Sequence, residues 1–244
     1  MKIYSVPGVN GLGRTKGVEK SFLKVLEGID FEGVDVNSED IKEQLKDIYL
    51  ASRKFVGEKF FVLGGDHSIS YPIVKAFFEK YGKDSRLLVF DSHPDLMEPM
   101  PEPSHEEWLR AVIELGFDVE NILLVGVRRE SENIDEVEIN YAKEKGVKII
   151  YSDEFVLRKQ EILDFVSFGK VYVSFDVDVF DSSIVGATGY PEKNGLGEEV
   201  FDLLKEIRGK IFGFDLVEYN SELDEEDKSL KVVRRVLGVF GYLK

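Results

Sequence analysis

Short runs of β-branched, aromatic and aliphatic residues recur along the chain, separated by longer stretches with apolar positions three and four apart. The short runs read as strands: Lys2 to Val6, Gly33 to Val36, Phe60 to Leu63, Leu87 to Phe90, Ile122 to Val127, Val147 to Tyr151, Val171 to Phe175 and Ile211 to Leu216. The longer stretches read as helices: Val18 to Leu26, Glu39 to Val56, Ile69 to Tyr81, His105 to Leu115, Ile134 to Lys145, Val156 to Phe168, Glu198 to Ile207 and Lys228 to Leu237. Strands alternating with amphipathic helices predict a parallel sheet covered on both faces. No linker, repeat or low-complexity tract interrupts the alternation, so residues 1–244 are expected to form one α/β domain.

In such sheets ligands gather outside the carboxyl ends of the strands, and the residues that follow each apolar run are selective there. GGDHSIS places His67 after one strand, and FDSHPDL places Asp91, His93 and Asp95 after the next. SFDVDVFD supplies Asp176 and Asp178, and GFDLVEYN supplies Asp215 and Glu218. Alternate residues of an extended segment share a side, so Asp91, His93 and Asp95 are expected to converge, with Ser92 and Pro94 facing away. Taken singly, His67 reads equally as part of a helix cap and the Asp pair as a surface turn. Together the aspartates would repel one another at a cost of several kcal/mol unless a cation sits among them.

Composition narrows the cation. With no cysteine, thiolate sites and disulfides are excluded and a reducing cytoplasm is the expected setting. Mixed His and carboxylate donors suit manganese, iron, cobalt, nickel or zinc better than magnesium or calcium. Six donor residues exceed what one ion takes, so two ions sharing carboxylates fit best. A net charge of −15 argues against nucleic acid and suits cationic small substrates. No stretch approaches the roughly 20 apolar residues of a membrane span.

GGDHSIS, DSHPDL, SFDVDVFD, ATGYPEKNGL and GFDLVEYN, in that order and preceded by GLGRTKGVEKSFLKVL, resemble the ureohydrolase superfamily, which includes arginase, agmatinase and formimidoylglutamase. The resemblance implies a three-layer α/β/α sandwich around an eight-stranded, mostly parallel sheet. It implies two manganese ions per chain, one on His67, Asp91, Asp95 and Asp176, the other on Asp91, His93, Asp176 and Asp178. A hydroxide bridging them would attack the guanidinium carbon and release urea and an amine. It further implies that Glu218 pairs with the guanidinium, that His105 shuttles protons, and that Asp95 lies at the reacting centre. A homo-oligomer, trimer or hexamer, is implied as well. The chain departs from the family pattern at Tyr190, Lys193, Asn194 and Ser221, all expected around the substrate and not on the metals.

The Pro-rich segment LMEPMPEPSH points to the substrate. Glu98 and Glu102 would repel a carboxylate and attract an ammonium, which favours agmatine or a related polyamine guanidine, and so an agmatinase of polyamine metabolism. Arginine is an alternative, and formimidoylglutamate would need Arg128 or Arg129 in the pocket. Two further readings are a noncatalytic metal-binding family member and a one-zinc deacetylase.

Overall fold

Phe60 and Val62 face one layer of helices while Phe61 and Leu63 face the other, and this two-sided burial is repeated along the central strands. The computed structural model describes residues 1–11, 13–37 and 39–243. Its strands are β1 (Lys2–Val6), β2 (Glu32–Gly33), β3 (Phe60–Gly64), β4 (Ser85–Phe90), β5 (Ile122–Val127), β6 (Lys148–Tyr151), β7 (Lys170–Asp176) and β8 (Ile211–Val217). They form one sheet in the order β2-β1-β3-β8-β7-β4-β5-β6, every pairing parallel.

Helices α2 (Ile41–Phe55), α3 (Ser70–Tyr81), α4 (Trp108–Glu114) and α5 (Glu136–Lys145) cover one face through Ile48, Phe77, Trp108 and Tyr141. Helices α1 (Phe22–Val25), α6 (Lys159–Phe165), α7 (Glu199–Ile207) and α8 (Lys228–Val239) cover the other through Val25, Ile162, Leu204 and Val236. The expected three-layer sandwich is therefore present. No described helix is long and apolar enough to cross a membrane.

The differences from expectation lie at element ends. The strand expected at Gly33–Val36 shrinks to Glu32–Gly33, because only Tyr4 and Ser5 of β1 offer it partners before the chain turns at Gly8. The first expected helix breaks into a 3-10 turn at Val18–Lys20 and a single α-helical turn. The helix expected from His105 begins at Trp108, because Glu107 folds back to accept hydrogen bonds from the Ser104 N–H at 3.0 Å and hydroxyl at 2.5 Å. His105 thus lies on a loop.

Candidate metal centre

The carboxyl ends of four contiguous strands, β3, β8, β7 and β4, deliver the site. After β3 the chain turns through Gly65, where a Cβ would lie 1.9 Å from the Gly8 carbonyl oxygen, so only glycine permits this approach. Asp66 then caps the 3-10 turn at His67–Ile69 by accepting from the Ser68 N–H at 3.1 Å. This orientation buries the His67 ring, with Nε2 2.9 Å from Ser174 Oγ, whose hydroxyl donates to Asp215 Oδ1 at 2.8 Å. Nδ1 is left facing inward, 2.9 Å from Asp91 Oδ2, 3.1 Å from Asp95 Oδ2 and 3.3 Å from Asp176 Oδ2.

A second group adjoins the first. His93 Nδ1 lies 3.0 Å from Asp178 Oδ2 and 3.6 Å from Asp91 Oδ1. The outer oxygens are tied to backbone: Asp91 Oδ1 accepts from the His93 N–H at 2.7 Å, Asp178 Oδ1 from the Ser92 N–H at 3.0 Å, and Asp176 Oδ1 from the Asp178 N–H at 2.8 Å. His67, Asp91 and Asp95 make one group with donor atoms close enough for a metal ion, and Asp91, His93 and Asp178 make another, with Asp91 in both.

A third group, Asp66, His105 and Glu218, stands beside these. Glu218, at φ 66° just past β8, accepts from the His67 N–H at 2.9 Å through Oε1. Its Oε2 and both ring nitrogens of His105 are buried without a hydrogen-bond partner. His105 lines a cavity of about 340 Å³ whose walls also include His93, Asp95, Tyr190, Glu106, Glu132, Asp135 and Glu138. No described lining residue is Lys or Arg.

The donor chemistry fits cations. Burial, and then the charge on Asp91, push Asp95 well above the usual carboxylate range. Burial likewise raises Asp176 and Glu218, helped by neighbouring carboxylates. Asp91 is buried too, yet the His67 and His93 rings hold it below that range. Buried acceptors this close cannot all ionise alone. His67 Nδ1 and Asp91 Oδ2 lie 2.9 Å apart without meeting hydrogen-bond geometry, an arrangement that a cation between them would satisfy.

Several sequence expectations change in detail. Asp91, His93 and Asp95 converge through a bend that ends with Asp95 at φ 53°, not through the alternation of an extended strand. Ser92 does not face away, since its hydroxyl lies 2.9 Å from His93 Nδ1. Glu98 is exposed, Glu102 is half-buried, and neither lines the cavity. The Pro-rich segment turns backbone inward, with the Glu102 carbonyl accepting from Asn10.

Arg128 is buried with its guanidinium on backbone carbonyls, and Arg129 pairs with Asp153 and Glu154, so neither serves the cavity. Among the departures, Tyr190 lines the cavity, while the Ser221 N–H donates to Ser21 Oγ behind it. Glu106, Glu132, Asp135 and Ser174 are missing from the expected site, and Asp215, expected among the strand-end carboxylates, supports His67 through Ser174. Asp215 alone had a signal, its place after a strand.

Residues 10–240 match the family described as Arginase family. The chain belongs to the arginase family. A mitochondrial arginase of Medicago truncatula is 35% identical over 173 residues, covering 68% of this chain and 49% of the plant protein. An agmatinase of Pyrococcus horikoshii is 32% identical over 186 residues, covering 73% of this chain and 61% of that protein. The chain thus spans about half the length of the plant arginase it matches. Formimidoylglutamase from Bacillus subtilis superposes with a TM-score of 0.87 over 98% of this chain and 84% of its own, at 20% identity, a likeness of fold.

Proposed function

We propose that this arginase-family protein hydrolyses a guanidino C–N bond of a small guanidine with a cationic tail, of the agmatine class, giving urea and an amine. His67, Asp91, Asp95 and Asp176 would hold one divalent ion, manganese in our reading, and Asp91, His93, Asp176 and Asp178 the other. Bound there, such ions lower the pKa of water and supply a nucleophile at neutral pH. Glu218 Oε2, buried and unpartnered, accepts from the planar guanidinium and orients its carbon, while the His67 N–H holds Oε1 still. His105 hands a proton to the departing amine, which would otherwise leave as an unstable anion.

The observation that carries the substrate class is the cavity wall. Glu106, Glu132 and Asp135 surround the space beyond His105 with no described Lys or Arg, so an ammonium is attracted and a carboxylate repelled. Arg14 favours a second reading, a carboxylate-tailed guanidine, since its guanidinium lies 5.3 Å from the Tyr190 ring centroid at the edge of the cavity. Urea release from agmatine, arginine and 4-guanidinobutanoate with added manganese decides between them. Agmatine is expected to give the highest kcat/KM, and 4-guanidinobutanoate in first place would sink the cationic-tail reading. A cysteine-free chain suits a reducing compartment such as the cytoplasm.

A further inference from the structure

His105 is fixed by neither a helix nor hydrogen bonds of its own ring. It lies three residues before α4 on a segment with prolines at positions 99, 101 and 103, none of which can donate a backbone hydrogen bond. Carbonyls on such a segment must be met from outside. The side-chain amide of Asn10 meets two of them, donating to the Glu102 and Pro103 carbonyls at 2.9 Å each.

Asn10 also reaches the other wall of the site. Its backbone N–H donates to Asp66 Oδ2 at 2.8 Å, so one residue ties the loop that carries His105 to the turn that carries Asp66 and His67. Asn10 is held in turn by its neighbour: the Val9 N–H donates to Gln44 Oε1 at 3.2 Å and the Gln44 amide returns a bond to the Val9 carbonyl at 3.1 Å. Next to it, a Cβ on Gly11 would lie 2.6 Å from His105 Nδ1 and 2.8 Å from Asp66 Oδ2, so this backbone is pressed against the imidazole itself. On another side the Tyr190 ring stands 5.7 Å from the His105 ring at 30°.

We propose that Asn10 is a positioning residue for His105, acting through the Glu102–Pro103 carbonyls, a role that rests on reading His105 as the proton donor of the hydrolysis. A misplaced donor costs turnover more than binding, because its bond to the leaving nitrogen matters most in the transition state.

The test pairs kinetics with hydrogen exchange in the manganese-loaded protein. Asn10→Ala is expected to lower kcat on the order of 10-fold with KM and metal content unchanged. Asn10→Asp, which sets an acceptor against the two carbonyls, should lose at least as much. In the double variant with His105→Ala the loss should equal that of His105→Ala alone, whereas additive losses would overturn the proposal. Independently of any activity, Asn10→Ala should speed exchange in peptides spanning residues 98–107 and leave those spanning 176–178 unchanged. Unaltered exchange in 98–107 would overturn it, even if no guanidine proves to be a substrate and the functional reading fails by itself.

Discussion

The indole N–H of Trp108, at the start of α4, donates to Asp95 Oδ2 at 2.7 Å. Asp95 sits at φ 53°, a conformation that a non-glycine residue keeps only when its surroundings enforce it, and the Trp108 bond does this from a wholly buried ring. The same oxygen faces His67 Nδ1 at 3.1 Å, so the indole aims a donor atom into the first group. Trp108→Phe keeps most of the apolar contact and removes the N–H. Manganese affinity of that group is expected to fall about 10- to 100-fold, read by metal titration, with the unfolding midpoint much less affected. Unchanged affinity would remove Asp95 from the ligand set.

Ser174 governs the other side of His67. With Nε2 as the N–H donor to Ser174 Oγ, and Ser174 donating onward to Asp215, Nδ1 must carry the lone pair that faces the carboxylates. Ser174→Ala releases that tautomer. Apparent manganese affinity should drop by about 10-fold or more, and turnover should return at saturating manganese. A variant whose turnover stays low with the metal fully bound would show that Ser174 acts on something other than ligation.

Glu138 gives a pH signature. Its carboxylate accepts from the Leu96 N–H at 2.9 Å and the Asp135 N–H at 3.2 Å, yet burial pushes its pKa up to about 7. An acid raised above its unfolded value binds more protons when folded, so its contribution is intact below about pH 4.5 and is lost as pH rises toward 7. The loss is on the order of 3 kcal/mol at most. Urea midpoints in EDTA, taken at steps from pH 4.5 to 7.5, should therefore fall with pH more steeply in the wild type than in Glu138→Gln. Parallel curves for the two proteins would assign the wild-type slope to other groups.

The four clusters after β3, β4, β7 and β8 were legible because strand ends announce themselves: an apolar run stops and His or Asp follows within a few residues. The central strands were placed correctly for the same reason, while the second strand moved to Glu32–Gly33 and the first helix broke in two. The cavity's acidic wall was not legible. Glu106 precedes α4, Glu132 and Asp135 precede α5, and no local pattern says that two loops more than 20 residues apart face one space. Glu98 and Glu102 had the right charge at the wrong place, since proximity to DSHPDL in sequence carries no information about which way a proline-stiffened segment turns. Asn10 was invisible for a related reason, its partners being 56 and more than 90 residues away.

Arg128, one of two arginines that a formimidoylglutamate site would have needed in the pocket, is engaged by the backbone instead. Its guanidinium donates to the carbonyls of Lys193 at 3.0 Å, Asp178 at 2.9 Å, Val179 at 3.0 Å and Phe180 at 3.1 Å, and also to Gly126. Burial pushes its pKa down from the ordinary value, but bonds from Nε to one carbonyl, from Nη1 to another and from Nη2 shared among three keep it in place. Gly195 leaves room for it, since a Cβ there would lie 2.3 Å from Nη2. Three of the carbonyls it gathers, those of Asp178, Val179 and Phe180, belong to the segment that carries Asp178, so the arginine shapes one proposed metal group without touching an ion. Arg128→Lys puts three donors on a point where a planar fork is needed and strands several buried carbonyls, at a cost on the order of 3 kcal/mol. The urea midpoint should fall accordingly. Metal analysis after gel filtration should find less manganese per chain than the two expected for the wild type, because that turn carries Asp178 and also holds Asp176 Oδ1 through the Asp178 N–H. Two manganese ions and an unmoved midpoint in Arg128→Lys would sink this account of the arginine.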